Sequence, residues 1–277
     1  MEDYNGYAIV TFDLNNLKYC NDNIGHAAGD AYIESSALAK DDNRICAITA
    51  AMTSGTGLTE FASLYKNRFF DVGIAEQHAV TFSAGLASKG LKPFFVVYSS
   101  FLQRGFDQVI HDIAIGGFSV KLLIDRAGIV GEDGETHQGL FDVSFLTSVP
   151  GTVIYSPCYY GELQYDIRLA AELDGLCAVR YPRGCEKKDP GLDYTGDYTV
   201  LSGSGKKAIV TYGRLFSDAL EAKEQVPDLN IVKLKKFYFF VLPFTILTLP
   251  LQKGRLRLSN RKSQKNLFRL RSPHVKG

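Results

Sequence analysis

The chain has 277 residues, of which 45% are hydrophobic and 22% charged, which is ordinary for a soluble globular protein of one large or two small domains. Lysine and arginine number 31 against 30 aspartates and glutamates, so the charge balance gives no reason to expect a nucleic acid or an anionic membrane as partner. Five cysteines without a CxxC pair favour reduced thiols, and the amino terminus has no secretory signal pattern, so we expect a cytoplasmic protein.

Residues 1–34, the first predicted region, combine a strand-like run with helix-like segments. The letters FDLNNLKYCNDNIGHAAGD at 12–30 resemble a fragment of the diguanylate cyclase (GGDEF) family. By that resemblance Asp13 would be a metal-binding carboxylate, while Asn21 and Asp30 would contact guanine. The Gly-Gly-Asp-Glu-Phe turn of that family does not occur in the sequence, so we expect no cyclase activity.

Residues 35–203, the second region, alternate short apolar runs with helix-like or loop sequence. The runs that we predict as strands are residues 44–49, 93–98, 121–125 and 152–155. Such near-continuous apolar strands predict an α/β fold, with a mostly parallel sheet and helices on both faces. Functional groups of these sheets lie at the carboxyl ends of strands, which is where Tyr98, Arg126 and the loop from Gly131 fall.

The run FDVGIAEQHAV at residues 70–80 is the most informative stretch, because it places the acidic Glu76 among apolar neighbours. An unpaired carboxylate is unfavourable there, so we expect Glu76 to face a polar ligand or to be protonated. The apolar residues expected to keep this carboxyl group dry are Ile74, Ala75, Ala79 and Val80. His78 follows Glu76 by two positions, which on a helix points it elsewhere, so we interpret it as structural.

Four further segments combine aromatic, charged and glycine residues. They are YSSFLQR at 98–104, IDRAG at 124–128, GEDGETHQG at 131–139 and RYPRG at 180–184. Together with the run at 70–80, and in this order, they resemble the pyrimidine-binding domain of the 1-deoxy-D-xylulose-5-phosphate synthase family, which uses thiamine diphosphate. The resemblance covers residues 35–236, and several ordered motifs make it more specific than a single glycine-rich pattern.

The resemblance implies three residues that bind the cofactor. Glu76 would hydrogen-bond the aminopyrimidine ring and drive its tautomerisation, so it is both a catalytic and a cofactor-binding residue. Phe101 would pack on the pyrimidine ring. Tyr98 would lie near the reacting centre, in contact with cofactor and substrate.

The resemblance also implies residues that bind the substrates. Arg104 would bind oxygen atoms of the acceptor, while Arg126 and Arg183 would hold the phosphate of the aldehyde, a task that suits the planar fork of a guanidinium. Asp133 and His137 would act as a pair that shuttles protons or holds a substrate group. We interpret His111 and Asp112 as structural residues of a helix.

Residues 204–236 resemble the start of the carboxyl-terminal domain of the same family, with a strand near Lys206 and a helix through Glu224. Residues 237–277 form a tail of uncertain origin. The tail is basic, because no acidic residue follows Asp228 while lysine and arginine continue. The apolar run at its start contains two prolines and is shorter than the roughly 20 residues of a membrane helix, so we expect no membrane span.

The implied activity is that of a transferase of two-carbon units that condenses pyruvate with glyceraldehyde 3-phosphate, for the synthesis of isoprenoid precursors, thiamine and pyridoxal. In that family an amino-terminal domain holds the diphosphate of the cofactor with Mg²⁺. The sequence shows no counterpart of that domain, so we expect no metal ligands and no activity in the chain alone. We expect a homodimer, or a hetero-oligomer with a diphosphate-binding subunit. The alternatives are a split transketolase-type subunit and a non-catalytic dimerisation or regulatory module.

Overall fold

The computed structural model describes residues 35–238. The GGDEF-like fragment with Asp13, Asn21 and Asp30 lies outside the described residues, as does the tail beyond Tyr238. The predictions made for those two segments therefore stay predictions.

A seven-stranded sheet forms the centre of the described region, with the strand order β10-β5-β6-β4-β3-β1-β2. Its strands are β1 (Ile45–Thr49), β2 (Phe69–Asp71), β3 (Lys92–Tyr98), β4 (Lys121–Asp125), β5 (Val153–Tyr155), β6 (Cys177–Arg180) and β10 (Lys236–Tyr238). Every neighbouring pair is parallel except β10 with β5. The predicted α/β fold with a mostly parallel sheet is thereby confirmed.

Helices connect these strands. The α-helices are α1 (residues 35–41), α2 (Thr59–Leu64), α3 (Glu76–Ala87), α4 (Ser99–Leu102), α5 (Phe106–Gln108), α6 (Asp142–Leu146), α7 (Tyr160–Glu172) and α8 (Leu215–Gln225). Short 3₁₀ segments lie at Lys66–Arg68, Gln103–Gly105, Gly131–Asp133 and Glu135–His137, and a π-helical segment at Val109–Ala114.

The core lies on both faces of the large sheet. On β3, Phe95 and Val97 pack into one buried cluster, whereas Phe94 and Val96 pack into another on the opposite face. Successive side chains of a strand point to opposite faces, so a strand covered on both sides must be apolar throughout. This requirement explains why the continuous apolar runs of the sequence predicted the central strands.

A second, three-stranded sheet contains β7 (Tyr198–Leu201), β8 (Ala208–Tyr212) and β9 (Asn230–Leu234) in the order β7-β9-β8. Phe216 of α8 and Ile231 of β9 form a small core with Tyr159. Because β7 pairs with β9, the smaller sheet starts before the boundary expected at residue 203. The chain then returns to the large sheet through β10.

Buried ion pairs join the two sheets and brace the loop that follows β4. Lys233 of β9 pairs with Glu162 of α7, and both side chains are almost completely buried. Arg180, the last residue of β6, pairs with Asp142 at the start of α6, with 2.7 Å between Arg180 Nε and Asp142 Oδ2. Arg180 Nη1 also donates to Ser156 Oγ at 3.2 Å.

Candidate active site

The carboxyl ends of the parallel strands gather the residues that the sequence motifs single out. Tyr98 ends β3, and its register partner Asp125 ends β4. Arg126 directly follows β4, and Arg183 lies shortly after the end of β6. Parallel strands end at one edge of a sheet, so residues distant in sequence meet there.

Glu76 is buried, with 2% of the residue exposed, and it is the first residue of α3. Its partner is Arg104, whose Nη1 lies 2.7 Å from Glu76 Oε1. The Arg104 side chain is 53% exposed, so the pair connects a buried carboxylate with the solvent side of the site. The guanidinium and the amino terminus of the helix both stabilise the negative charge.

Three rings line the space beside this pair. The ring centroids of Phe101 and His137 are 5.0 Å apart, and those of Tyr98 and Phe101 are 5.5 Å apart. Arg104 Cζ lies 5.2 Å from the Phe101 centroid, so Phe101 connects the ion pair of Glu76 with the ring of His137. Burial raises the pKa of Tyr98, which keeps its hydroxyl group protonated at neutral pH.

Arg126 lies on the other side of Tyr98, with its Cζ 4.0 Å from the centroid of that ring. Its Nη1 donates to the carbonyl oxygen of Gly55 at 2.6 Å and to the carboxylate of Asp125. Its Nε lies 3.5 Å from Asp133 Oδ2, and the other oxygen of Asp133 pairs with Arg183. Asp133 therefore bridges the two guanidinium groups.

Asp125 is fully enclosed beneath Arg126. Burial raises the pKa of Asp125 to about 6, while the positive charge of Arg126 and the hydrogen bonds from it act in the opposite direction. The charge on Asp125, and with it the ion pair that holds Arg126, therefore weakens as the pH falls towards this value.

The arginines can bind an anion, and buried polar atoms at this place still lack a hydrogen bond. Within the part of the chain that the structure describes, Arg126 Nε and Asp133 Oδ2 have no hydrogen-bond partner, although they face each other. A ligand that offers an acceptor to the guanidinium and a hydroxyl to the carboxylate would satisfy both. A phosphomonoester with a neighbouring hydroxyl group has this chemistry.

Every residue predicted for the cofactor and substrate site thus belongs to one continuous series of contacts. In spatial order the series is Glu76, Arg104, Phe101, His137, Tyr98, Arg126, Asp133 and Arg183. The structure brings these side chains together, whereas their individual roles stay predictions.

One expected pairing differs from the structure. The carboxylate of Asp133 is turned to Arg126 and Arg183, while Nδ1 of His137 lies 2.9 Å from Thr136 Oγ1. Two guanidinium groups attract the carboxylate more strongly than a single imidazole does, which explains the choice of partner. His137 meets the aromatic rings instead.

The surroundings expected for Glu76 also need correction. Ala79 and Val80 are buried beside it, but Ile74 is 82% exposed. Ile74 lies before the start of α3, so its side chain is not part of the apolar face with which that helix packs against the core. Glu76 is therefore buried without any shielding by an enclosed Ile74 side chain.

The two other histidines of the described residues, His78 and His111, lie apart from this series. His78 is exposed and stacks on Phe82, with 5.9 Å between the ring centroids. His111 is exposed, and its Nδ1 lies 2.8 Å from Asp112 Oδ1, which raises the pKa of the imidazole. These contacts agree with the structural interpretation of both residues.

Sequence reasoning missed the loop after β1 and the residue that holds it. Gly55 contributes the carbonyl oxygen that Arg126 binds, and Asp71 at the end of β2 accepts hydrogen bonds from Ala51 and Thr53. The signal available was the glycine-rich stretch SGTG at residues 54–57, which follows a predicted strand at its carboxyl end.

Two features are absent from the described residues. Among residues 35–238, no group of three or more His, Cys, Asp or Glu side chains is arranged to hold a metal ion. Over the same residues, no helix has the length and apolar character needed to cross a bilayer.

The sequence model of the family described as "Transketolase, pyrimidine binding domain" matches residues 26–186. A 1-deoxy-D-xylulose-5-phosphate synthase from Clostridium botulinum (strain Alaska E43 / Type E3) is 49% identical over 218 residues, which are 77% of this chain and 35% of that protein. The synthase of the same name from Caldanaerobacter subterraneus subsp. tengcongensis is 51% identical over 192 residues, which are 68% of this chain and 31% of that protein. The chain thus spans about a third of the length of these curated relatives.

Solved structures share the fold. "Split gene transketolase, inactive beta4 tetramer" superposes with a TM-score of 0.66 and 24% identity, over 75% of this chain and 70% of that one. The transketolase from Leishmania mexicana gives a TM-score of 0.67 with 20% identity, over 76% of this chain and 34% of that one. At these identities the likeness establishes the architecture alone.

Proposed function

The chain belongs to the family of transketolase pyrimidine-binding domains, and on that premise we propose that it supplies the pyrimidine half of a thiamine diphosphate site in a 1-deoxy-D-xylulose-5-phosphate synthase. The reaction would transfer the two-carbon unit of pyruvate to glyceraldehyde 3-phosphate. The product would serve the synthesis of isoprenoid precursors, thiamine and pyridoxal, in the cytoplasm.

The observation that carries this proposal is the continuous series of contacts from Glu76 to Arg183. One end offers a buried carboxylate beside an aromatic ring, and the other offers two guanidinium groups. A carbonyl substrate that carries a phosphate group needs a carboxyl group beside an aromatic ring for the reaction and guanidinium groups for the phosphate, all within a few ångströms. The high identity to the synthases favours this reaction over that of the other members of the family.

The residues at the first end fit an aminopyrimidine ring. The buried carboxyl group of Glu76 can form a hydrogen bond with the ring. The half-buried Phe101 offers an aromatic face beside Arg104, the partner of Glu76. When bound, thiamine diphosphate supplies the nucleophilic carbon and the electron sink of the reaction. Glu76 would hold a proton at the ring nitrogen, and Phe101 and Tyr98 would exclude water.

The residues at the second end would bind and orient the aldehyde. Arg126 and Arg183 would share the phosphate oxygens, and Asp133 would then give up part of its contact with them. His137 lies between the two ends, where it would move a proton to or from the substrate oxygen. Arg104 would bind the acceptor from the solvent side.

The remaining half of the site is expected on another polypeptide region. The residues that hold the diphosphate and Mg²⁺ would come from a diphosphate-binding domain or subunit, so the working form would be a homodimer or a hetero-oligomer. The exposed side of Arg104 and the open side of the aromatic rings are where such a partner would complete the cavity.

The test combines this chain with the isolated diphosphate-binding domain of a related synthase, Mg²⁺ and thiamine diphosphate. We expect saturable cofactor binding by the mixture, and CO₂ release from pyruvate that depends on glyceraldehyde 3-phosphate. The Glu76→Gln variant should lose about 100-fold or more of the rate, as expected for a group that moves a proton. The matched control is Glu60→Gln, since Glu60 also lies in the first turn of a helix but away from the site.

The outcomes separate the alternatives. Activity with ketose phosphates but not with pyruvate would replace the synthase by a split transketolase-type subunit. Absence of cofactor binding in a mixture whose two components associate would contradict the catalytic proposal and favour a non-catalytic module.

A further inference from the structure

The loop at residues 50–57 forms one wall of the candidate site, and Asp71 fixes its conformation. Asp71 Oδ1 accepts hydrogen bonds from Ala51 N at 2.8 Å and from Gly73 N at 3.0 Å, while Oδ2 accepts one from Thr53 Oγ1 at 2.8 Å. Ala51 has a φ of 60°, a left-handed conformation that is unfavourable for alanine. The hydrogen bonds of Asp71 therefore stabilise a backbone conformation at Ala51 that is otherwise unfavourable.

Gly55, at the tip of this loop, touches two residues of the site. Its carbonyl oxygen accepts the hydrogen bond from Arg126 Nη1 at 2.6 Å. A Cβ atom on Gly55 would lie 3.2 Å from Tyr98 Cζ and closer than van der Waals contact to the Tyr98 hydroxyl oxygen. The carbonyl group thus orients the guanidinium, and the absent side chain leaves room for the tyrosine.

Arg126 is held from the other side in a similar way. Its own φ is 56°, also left-handed, and its amide donates to Asp125 Oδ1 at 2.6 Å. Both left-handed residues that are not glycine within the described chain therefore donate their amides to an aspartate that ends a parallel strand. Two strand ends together determine where the guanidinium of Arg126 lies.

We propose that Asp71 and Gly55 are positioning residues for the anion site, and that they act by fixing the loop 50–57 against Arg126 and Tyr98. The inference rests on the proposed function for the identity of the anion, a phosphomonoester. It deepens that proposal by two residues to which the resemblance gave no role: Asp71, which lies within the run at 70–80, and Gly55, which lies outside the motifs. Neither residue needs to touch the ligand.

The first experiment measures the affinity of the purified chain for glycerol 3-phosphate by titration calorimetry. Asp71→Asn should weaken binding by about tenfold or more, since a displacement of about 1 Å at a binding group has effects of this size. The matched control is Asp42→Asn, because Asp42 accepts hydrogen bonds from Arg44 N at 3.0 Å, Nε at 2.9 Å and Nη2 at 2.7 Å at the opposite end of β1. It should leave the affinity unchanged.

The second experiment tests the contact of Gly55 with Tyr98, and one of its two readouts, the melting temperature, does not depend on a ligand. Gly55→Ala should lower the melting temperature and weaken phosphate binding, because the new methyl group collides with the tyrosine hydroxyl. The double variant Gly55→Ala with Tyr98→Phe removes that hydroxyl. It should recover the melting temperature and the affinity of Tyr98→Phe alone.

The outcomes distinguish this inference from the proposed function. Normal affinity in Asp71→Asn, or no recovery in the double variant, would overturn the positioning role while the phosphate site stands. A wild-type chain that binds no glycerol 3-phosphate would count against the proposed phosphate site and against the positioning of its arginine. Recovery of the melting temperature would still support the packing of Gly55 on Tyr98.

Discussion

The site at the strand ends and the junction between the two sheets both collect opposite charges, but they expose them differently. At the junction, the side chains of Lys233 and Glu162 are 2% and 0% exposed, and Cys158 N adds a hydrogen bond to Glu162 Oε2 at 2.7 Å. At the site, the partner of the buried Glu76 is the half-exposed Arg104. The junction pair is closed to ligands and serves the architecture, whereas the Glu76–Arg104 pair remains accessible from the solvent side of the site.

A residue of the junction should affect stability and leave ligand binding alone, and the reverse should hold at the site. Burial decides this, because a buried charge that loses its partner has no water to replace it.

Glu162→Gln should give the largest loss of stability, about 3–5 kcal/mol in the free energy of unfolding, because Lys233 then remains buried without its counterion. Urea unfolding measures this change. Adding Lys233→Met should recover most of the loss, since it removes the uncompensated charge. A loss below about 1 kcal/mol would show that the junction charges behave like a surface pair.

Arg183→Ala should weaken binding of glycerol 3-phosphate by about 10- to 100-fold, the equivalent of the roughly 1.5–3 kcal/mol of a charge-assisted hydrogen bond. Its melting temperature should change little. Arg44→Ala is the matched control, because Arg44 also forms an ion pair with an aspartate, Asp42, outside the site. Equal affinities of the two variants would contradict the assignment of Arg183 to the anion site.

Asp166→Asn should change the pH dependence of stability. Burial and the neighbouring Glu162 raise the pKa of Asp166 to about 8, above its ordinary value of 3.8, although Lys233 acts in the opposite direction. Between these two pH values the folded chain holds a proton that the unfolded chain has released, so stability falls as the pH rises.

The asparagine keeps a neutral side chain at every pH, so the variant should lack this part of the slope. Above about pH 8 the wild type carries a buried charge that the asparagine lacks, so the variant should be more stable by more than about 1 kcal/mol. Thermal unfolding across the pH window measures both chains. A parallel pH dependence of the two would mean that Asp166 titrates normally.

Asp133→Asn should have the smallest effect. It should strengthen phosphate binding, whereas the loss of an arginine weakens it. The carboxylate competes with a bound anion for Arg126 and Arg183, so its neutralisation should increase the affinity for glycerol 3-phosphate by up to about fivefold. Calorimetry on the chain alone measures this gain. A weaker affinity would mean that Asp133 holds the arginines in place and does not compete with the ligand.

The sequence predicted the central strands and the end of the sheet at which the site lies. β1, β3, β4 and β5 were each predicted to within a residue at their ends, because strands covered on both faces are continuously apolar. β2 and β6 were missed. They are short, and each ends on a charged residue that belongs to the site or its bracing, so their apolar signal is weak.

The ordered motifs were enough to select most of the candidate residues, since they carry a family resemblance without knowledge of contacts. The contacts among these residues follow from the fold and could not be predicted from the motifs. Asp133 contacts arginines rather than His137, Ile74 is exposed, and Gly55 lies against Tyr98. These outcomes depend on distances between segments that are far apart in the chain, and on competition among charges for the nearest partner. Local sequence patterns contain neither quantity.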